Sequence, residues 1–207
     1  MTKQIEGVSE KILACAKAEF LEKGFGEASL RTIASKAGTT TGSIYSRFGG
    51  KEGLFGAIVE PTADHILRRF EEIQSDFHAM DETVQPEKME TTVSAGMAEI
   101  IDYMYEHFDE MQLLVDSSYG TRYQNFIEEM IRIETEYTYK YMDVIKLPAK
   151  SRELISEEFV HIMVTSLFES FFEIIRHRMS KENALKYADM LRKYHAAGWN
   201  AIFSSAF

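Results

Sequence analysis

The chain has 207 residues, 45% hydrophobic and 27% charged, ordinary globular proportions that exclude wholesale disorder and allow one to two domains with a real core. Acidic residues number 33 against 23 basic ones, a net charge of −10, which taken alone counts against nucleic-acid binding. The single cysteine, Cys15, excludes a disulfide framework and a cysteine-rich zinc site.

Apolar residues recur at helical spacing almost throughout, and no run alternates in the manner of a strand. Ile12, Leu13, Ala16, Phe20 and Leu21 form the first stripe, which predicts a helix with Ser9 as N-cap and Gly24 at its C-terminal end. Ser29 can cap a short second helix carrying Leu30, Ile33, Ala34 and Ala37, stopped at Gly38. A third short helix covers 39–47, followed by Phe48 and the break Gly49-Gly50. The fourth starts near Lys51 with Leu54, Phe55 and Ile58 inward, and Pro61 lies within it. A proline there removes a backbone hydrogen bond, so it either makes 58–62 a pivot or divides the helix in two.

The segment 77–89 reads as a connection. Helices are then expected over 89–107, 109–117 and 121–145, with a break at Leu147-Pro148-Ala149. The stretch 153–179 is apolar on more than one side, which suggests burial between neighbours. Ser180 caps a final helix over 182–203. The fold class is all-α: a helix-turn-helix head, placed at 1–56, and a larger helical bundle at 57–207, about nine helices in all.

Two short helices joined by the tight turn Ala37-Gly38-Thr39 are the helix-turn-helix pattern. In such a unit the first helix braces across the phosphate backbone while the second enters the major groove, about 12 Å wide. The second helix must therefore dock one apolar side and expose small polar residues on the other. Ile44 and Phe48, at i and i+4, supply the docking side, leaving Thr40, Thr41, Ser43 and Ser46 as hydroxyl donors and acceptors. Tyr45, Arg47 and Lys51 are placed to reach phosphates. Split at residue 60, the charge becomes informative: residues 1–60 are net +1 and residues 61–207 net −11, while 24–51 alone carry net +3.

The run Leu30-Arg31-Thr32-Ile33-Ala34, then Ala37-Gly38, Gly42-Ser43-Ile44-Tyr45 and Phe48-Gly49-Gly50-Lys51-Glu52-Gly53-Leu54 resembles the N-terminal domain of TetR-family transcriptional regulators. The resemblance covers roughly 9–58. It implies a homodimer that reads a palindromic DNA operator with two copies of the third helix, usually as a repressor. It further implies base or backbone contacts from Thr40, Thr41 and Ser43, and phosphate contacts from Ser29, Arg31, Tyr45 and Lys51. Ser29 can equally be only a helix cap, and Tyr45 half core.

Residues 57–207 hold 20 of the 25 aromatics, suited to a core or to an adaptable apolar cavity for a small-molecule inducer. Tyr103, Phe108, Tyr123, His161, Thr165 and Phe168 are the expected pocket lining. In the family the last two long helices pack against their symmetry mates. That implies a dimer surface from Phe171, Ile174 and Ile175 together with Leu185, Ala188, Tyr194, Ala197, Gly198 and Ala201.

An enzyme reading has little to stand on. Glu158-x-x-His161 is the ligand spacing of di-iron bundles, but no other histidine follows a glutamate by three residues. There is no Gly-x-Ser-x-Gly, no His-Glu-x-x-His and no phosphate-cradling glycine loop, so no catalytic residue, metal or cofactor is expected. Cys15 is expected to pack rather than sense redox state. No basic-then-apolar leader opens the chain, and the longest uncharged run, Tyr194 to Phe207, has fourteen residues against roughly 18 for a bilayer span. A cytoplasmic protein with no membrane partner is the expectation.

Overall fold

The computed structural model describes residues 2–148, 152–153 and 155–205. Among these, nine helices and no strand are present: α1 (Thr2–Glu27), α2 (Leu30–Lys36), α3 (Thr41–Phe48), α4 (Lys51–His78), α5 (Gln85–Glu106), α6 (Phe108–Asp116), α7 (Phe126–Val144), α8 (Glu157–Arg176) and α9 (Lys181–Ser205). None is long and apolar enough to cross a membrane. Contacts divide the chain into two compact units, Met1–His65 with His107–Phe126, and Ile66–Glu106 with Ile127–Phe207. The division falls inside α4, beyond a cut at residue 56, and assigns α6 to the unit that holds the head.

In the first unit Ile12, Ala16 and Phe20 of α1 are fully buried with Ile33, Ile44, Leu54, Phe55 and Val59. Phe55 anchors this core, edge-on to Phe20 at 5.1 Å and to Phe25 at 5.4 Å between ring centres, a favoured aromatic geometry. Lys17 of α1 ties to Glu110 of α6 at 2.9 Å. Helix α1 begins well before Ser9, so Ser9 lies inside the helix rather than at its N-cap. The expected break is present at Gly24, where the backbone leaves helical dihedrals (φ 69°, ψ 170°).

In the second unit Ile101, Met104, Met130, Val160, Phe172, Ile174 and Ile175 form the core. Helix α9 packs on both α5 and α8. Phe70 of α4 meets Phe168 of α8 edge-on at 5.6 Å, and the Tyr187 hydroxyl of α9 donates to the Ser170 carbonyl of α8 at 2.9 Å.

Outside the head, three boundaries differ from the sequence-based expectation, each for a local reason. The connection between α4 and α5 shrinks to 79–84, because Pro86 sits in the first turn of α5, where a missing N–H costs nothing. Residues 121–125 are not helical. Instead the Ser118 hydroxyl donates to the Leu114 carbonyl at 2.7 Å, the Thr121 hydroxyl donates to the Ser118 carbonyl at 2.6 Å, and the Tyr123 N–H donates to the Thr121 hydroxyl at 3.1 Å. Hydroxyls bonded to nearby backbone compete with helix in this way. Helix α8 starts at Glu157 because Ser156 caps it, accepting from the Phe159 N–H at 3.1 Å. Helix α4 runs unbroken through Pro61, so the proline does not divide it. At the last boundary Ser180 accepts from the Asn183 N–H at 3.3 Å, the expected cap.

Candidate nucleic-acid interface

The N-terminal end of each short helix in the head is set by a side-chain hydroxyl. The Ser29 hydroxyl accepts from the Thr32 N–H at 3.4 Å and caps α2. The Thr40 hydroxyl accepts from the Ser43 N–H at 3.2 Å and caps α3. Such caps satisfy N–H groups that the helix itself leaves unpaired. Helix α3 ends at Gly49 with φ 74°, a left-handed C-terminal residue that glycine adopts at no steric cost. Gly53 is required for a different reason: a β-carbon there would stand 1.8 Å from the Phe48 carbonyl oxygen. The Phe-Gly-Gly-Lys-Glu-Gly run is therefore the joint that lets α4 pass tightly against the end of α3.

Helix α3 presents two faces. Ile44 is fully buried and Phe48 half-buried, while Thr40, Gly42, Tyr45, Ser46 and Arg47 are exposed and Thr41 and Ser43 half-exposed. Tyr45, at 58% exposure, belongs to the outward face rather than the core. Arg47 donates to the Ser43 hydroxyl at 3.2 Å and to the Ser9 hydroxyl at 3.3 Å, which orients its guanidinium along α3. Arg31 is exposed on α2.

Lys51 sits otherwise than a simple phosphate contact. Its ammonium donates to the Gly26 carbonyl at 2.8 Å and lies 5.0 Å from the centre of the Phe25 ring. A cation there completes the C-terminal end of α1 and meets a ring face. Burial pushes the Lys51 pKa down, with Glu27 opposing the shift.

Sequence reasoning missed Glu19. Its carboxylate is fully buried and accepts from the Lys36 ammonium at 3.0 Å and the Ser29 N–H at 3.4 Å, with Lys23 3.7 Å away. It thereby joins α1 to both ends of α2. The Lys36 hydrogen bond holds its carboxyl below the usual range although burial opposes it. The signal was present: a glutamate interrupts the apolar stripe between Ala16 and Phe20.

The residues expected to line a pocket are divided between the two units. Phe108 and Tyr123 belong to the first unit, Tyr103, His161, Thr165 and Phe168 to the second. Tyr123 is buried, its hydroxyl accepting from Arg122 at 2.6 Å and occupying the space beside Gly56. Phe168 is core. His161 lines a cleft in the second unit, with Thr165 one turn further along α8.

Of the expected dimer residues, Phe171, Ile174, Ile175 and Ala188 are buried within this chain and present no surface. Helix α8 is apolar on several sides, and sequence alone did not say which side turns inward. Leu185 is half-buried, whereas Tyr194, Ala197, Gly198 and Ala201 are exposed on α9. Cys15 is a half-buried free thiol. Among the described residues no three His, Cys, Asp or Glu side chains are grouped so as to hold a metal, the Glu158–His161 pair included.

Comparison with known proteins bears on this head directly. Residues 12–58 match the family model for bacterial regulatory proteins of the tetR family. The head segment is thus similar to that of TetR-family regulators. It is 43% identical over 67 residues to the HTH-type transcriptional regulator YvdT of Bacillus subtilis, covering 32% of this chain and 34% of that one. It is 27% identical over 116 residues to the HTH-type transcriptional regulator UidR of Escherichia coli, covering 56% and 53%. The chain thus spans about half or less of the length of these curated relatives. Among solved structures, NalD of Pseudomonas aeruginosa, described as the secondary repressor of the MexAB-OprM multidrug efflux pump, superposes with a TM-score of 0.60 at 18% identity, covering 95% of this chain and 97% of NalD. A SmeT–triclosan complex superposes with a TM-score of 0.57 at 22% identity, covering 89% of each chain. At these identities the likeness is one of fold, and it extends over both units.

Proposed function

We propose that this protein is a ligand-responsive transcriptional regulator that binds a palindromic DNA operator as a homodimer, represses, and is released by a small apolar or amphipathic molecule. One observation carries the reading. Helix α3 buries Ile44 and turns Thr40, Tyr45, Ser46 and Arg47 outward in the segment that matches the TetR head. Thr40, Thr41 and Ser43 then contact bases or the adjacent backbone, while Arg31, Tyr45 and Arg47 neutralise or bond phosphates, with Ser29 and Lys51 beside them. The acidic remainder repels DNA, so productive contact comes from the first sixty residues.

The dimer is proposed to form through α9, where Met190, Tyr194, Ala197 and Ala201 recur at i, i+4, i+7 and i+11 and are all exposed. Gly198 leaves open space where a second backbone can approach. Two-fold heads reach successive major grooves when about 34–36 Å or a multiple apart. An effector changes operator affinity only by binding the two head spacings unequally. We place the hinge at 58–62, where Pro61 removes one hydrogen bond from α4. NalD is described as a repressor and SmeT is seen with triclosan, which supports repression and small-molecule release here. Such a protein works in the cytoplasm.

Selection of bound fragments from random DNA, followed by sedimentation of the complex, tests this. The expected outcome is an inverted repeat bound by an even number of chains. Recovery of no sequence, or a monomer at micromolar concentration, overturns it.

A further inference from the structure

Helices α7 and α8 enclose an open cleft of ≈ 300 Å³ lined by Glu128, Ile131, Arg132, Thr135 and His161. That volume lies at the small end of the range for ligand sites, about 300–1,000 Å³. The four α7 residues fall at i, i+3, i+4 and i+7, a single stripe, and Tyr139 continues it one turn further.

Buried polar groups in folded proteins nearly always have a partner. Five side-chain atoms among the described residues are buried without one, and three of them are hydroxyls on the two helices that form this cleft: Thr135 Oγ1, Tyr139 Oη and Thr165 Oγ1. Thr135 itself lines it. Thr165 follows His161 by one turn of α8. An unpaired buried hydroxyl in the lining, with two more on the same pair of helices, marks a place where a hydrogen-bonding guest can complete the set.

The charges beside the cleft select the guest. Arg132 is already compensated by Glu129 at 3.1 Å and Glu136 at 3.8 Å. Glu128 remains in the lining, and Glu157 and Glu158 open α8 close enough to Tyr139 to act on its phenol. The surroundings are therefore acidic, with Ile131 as an apolar floor and hydroxyl oxygens that can accept.

We infer that this cleft binds a small organic cation, an amine on a compact apolar body, its N–H groups donating to the Thr135 and Tyr139 hydroxyls and its charge facing Glu128. This rests on reading the chain as an effector-responsive regulator and gives that effector a chemical class.

The test uses the full chain without DNA and three probes that share one body: 2-phenylethylamine, 2-phenylethanol and phenylacetate, titrated calorimetrically. The amine is expected to bind at least tenfold more tightly than the alcohol, and the acid more weakly than either. Thr135→Val and Tyr139→Phe are each expected to weaken the amine at least threefold while leaving the thermal midpoint unchanged or higher, since they remove unpaired buried hydroxyls. Glu128→Gln is expected to bring the amine to the level of the alcohol. Equal binding of amine and alcohol, or amine binding that survives both hydroxyl deletions, overturns the assignment. No DNA enters these titrations, so loss of operator binding and loss of the cation site are separate outcomes.

Discussion

The Lys51 ammonium donates to the Gly26 carbonyl at 2.8 Å while lying over the Phe25 ring. From sequence Lys51 reads as a phosphate contact, and in the folded head it also closes the end of α1. Lys51→Ala is therefore expected to lower the stability of the head by about 1 kcal/mol and to weaken operator and non-operator DNA alike. Chemical denaturation reports the first effect. The second is read from the salt dependence of binding, whose slope should fall by about 0.9 for one phosphate contact. An unchanged slope removes Lys51 from the DNA surface and leaves it a purely structural group.

Gly53 tolerates no side chain, because a β-carbon there meets the Phe48 carbonyl oxygen at 1.8 Å. Gly53→Ala is expected to cost about 3 kcal/mol or more, since backbone rather than a flexible tip must move. Gly42 is the control. A β-carbon there meets only Thr40 Oγ1 at 3.7 Å, so Gly42→Ala should hold or raise stability by up to about 1 kcal/mol. Urea midpoints of the two variants separate the cases.

Glu19 links stability of the head to acid. The Lys36 hydrogen bond lowers its folded pKa, so its contribution is present above the usual carboxylate value of about 4.3 and is lost as pH falls through the depressed folded value. Glu19→Gln should be less stable than the parent by about 1–3 kcal/mol at pH 7, and the gap should close below pH ~4. Melting both proteins from pH 3 to 7 checks the sign. A gap that widens toward acid refutes it.

Glu134 acts in the opposite direction. Its carboxyl accepts from the Gln74 side-chain amide at 2.5 Å, and burial pushes its pKa up to about 7. The folded state therefore holds this proton more tightly than the unfolded chain. The stabilisation is complete below about pH 4.3, declines through the interval and is lost as pH rises past 7. Between pH 5 and 8 the parent should lose about 1–3 kcal/mol that Glu134→Gln retains. Identical pH profiles for the two proteins would falsify the assignment.

The contrast between Glu19 and Glu134 shows what sequence periodicity conveys. Both are glutamates on apolar stripes, and periodicity placed both on helices. Their opposite behaviour comes from partners distant in sequence: Lys36 for one, the neutral amide of Gln74 for the other. A linear pattern carries no information about which side chains from other helices arrive at such a site.

The local signals were read directly. The all-helical class followed from apolar spacing, the starts of α2 and α9 from Ser29 and Ser180, and the end of α3 from Gly49-Gly50, because capping acts over three or four residues; the start of α3, expected at Thr39, is instead set by Thr40. The outward hydroxyl face of α3 followed from Ile44 and Phe48 at i and i+4. The opening charge of −10 likewise resolved, in sequence alone, into a near-neutral head and an acidic remainder. Only the tertiary structure decided which side of α8 is buried, placing Phe171, Ile174 and Ile175 in the core. It alone tied Lys51 to α1 and left the hydroxyls of Thr135, Tyr139 and Thr165 without partners. Caps and stripes are written along one helix, whereas burial and pairing depend on which helices meet.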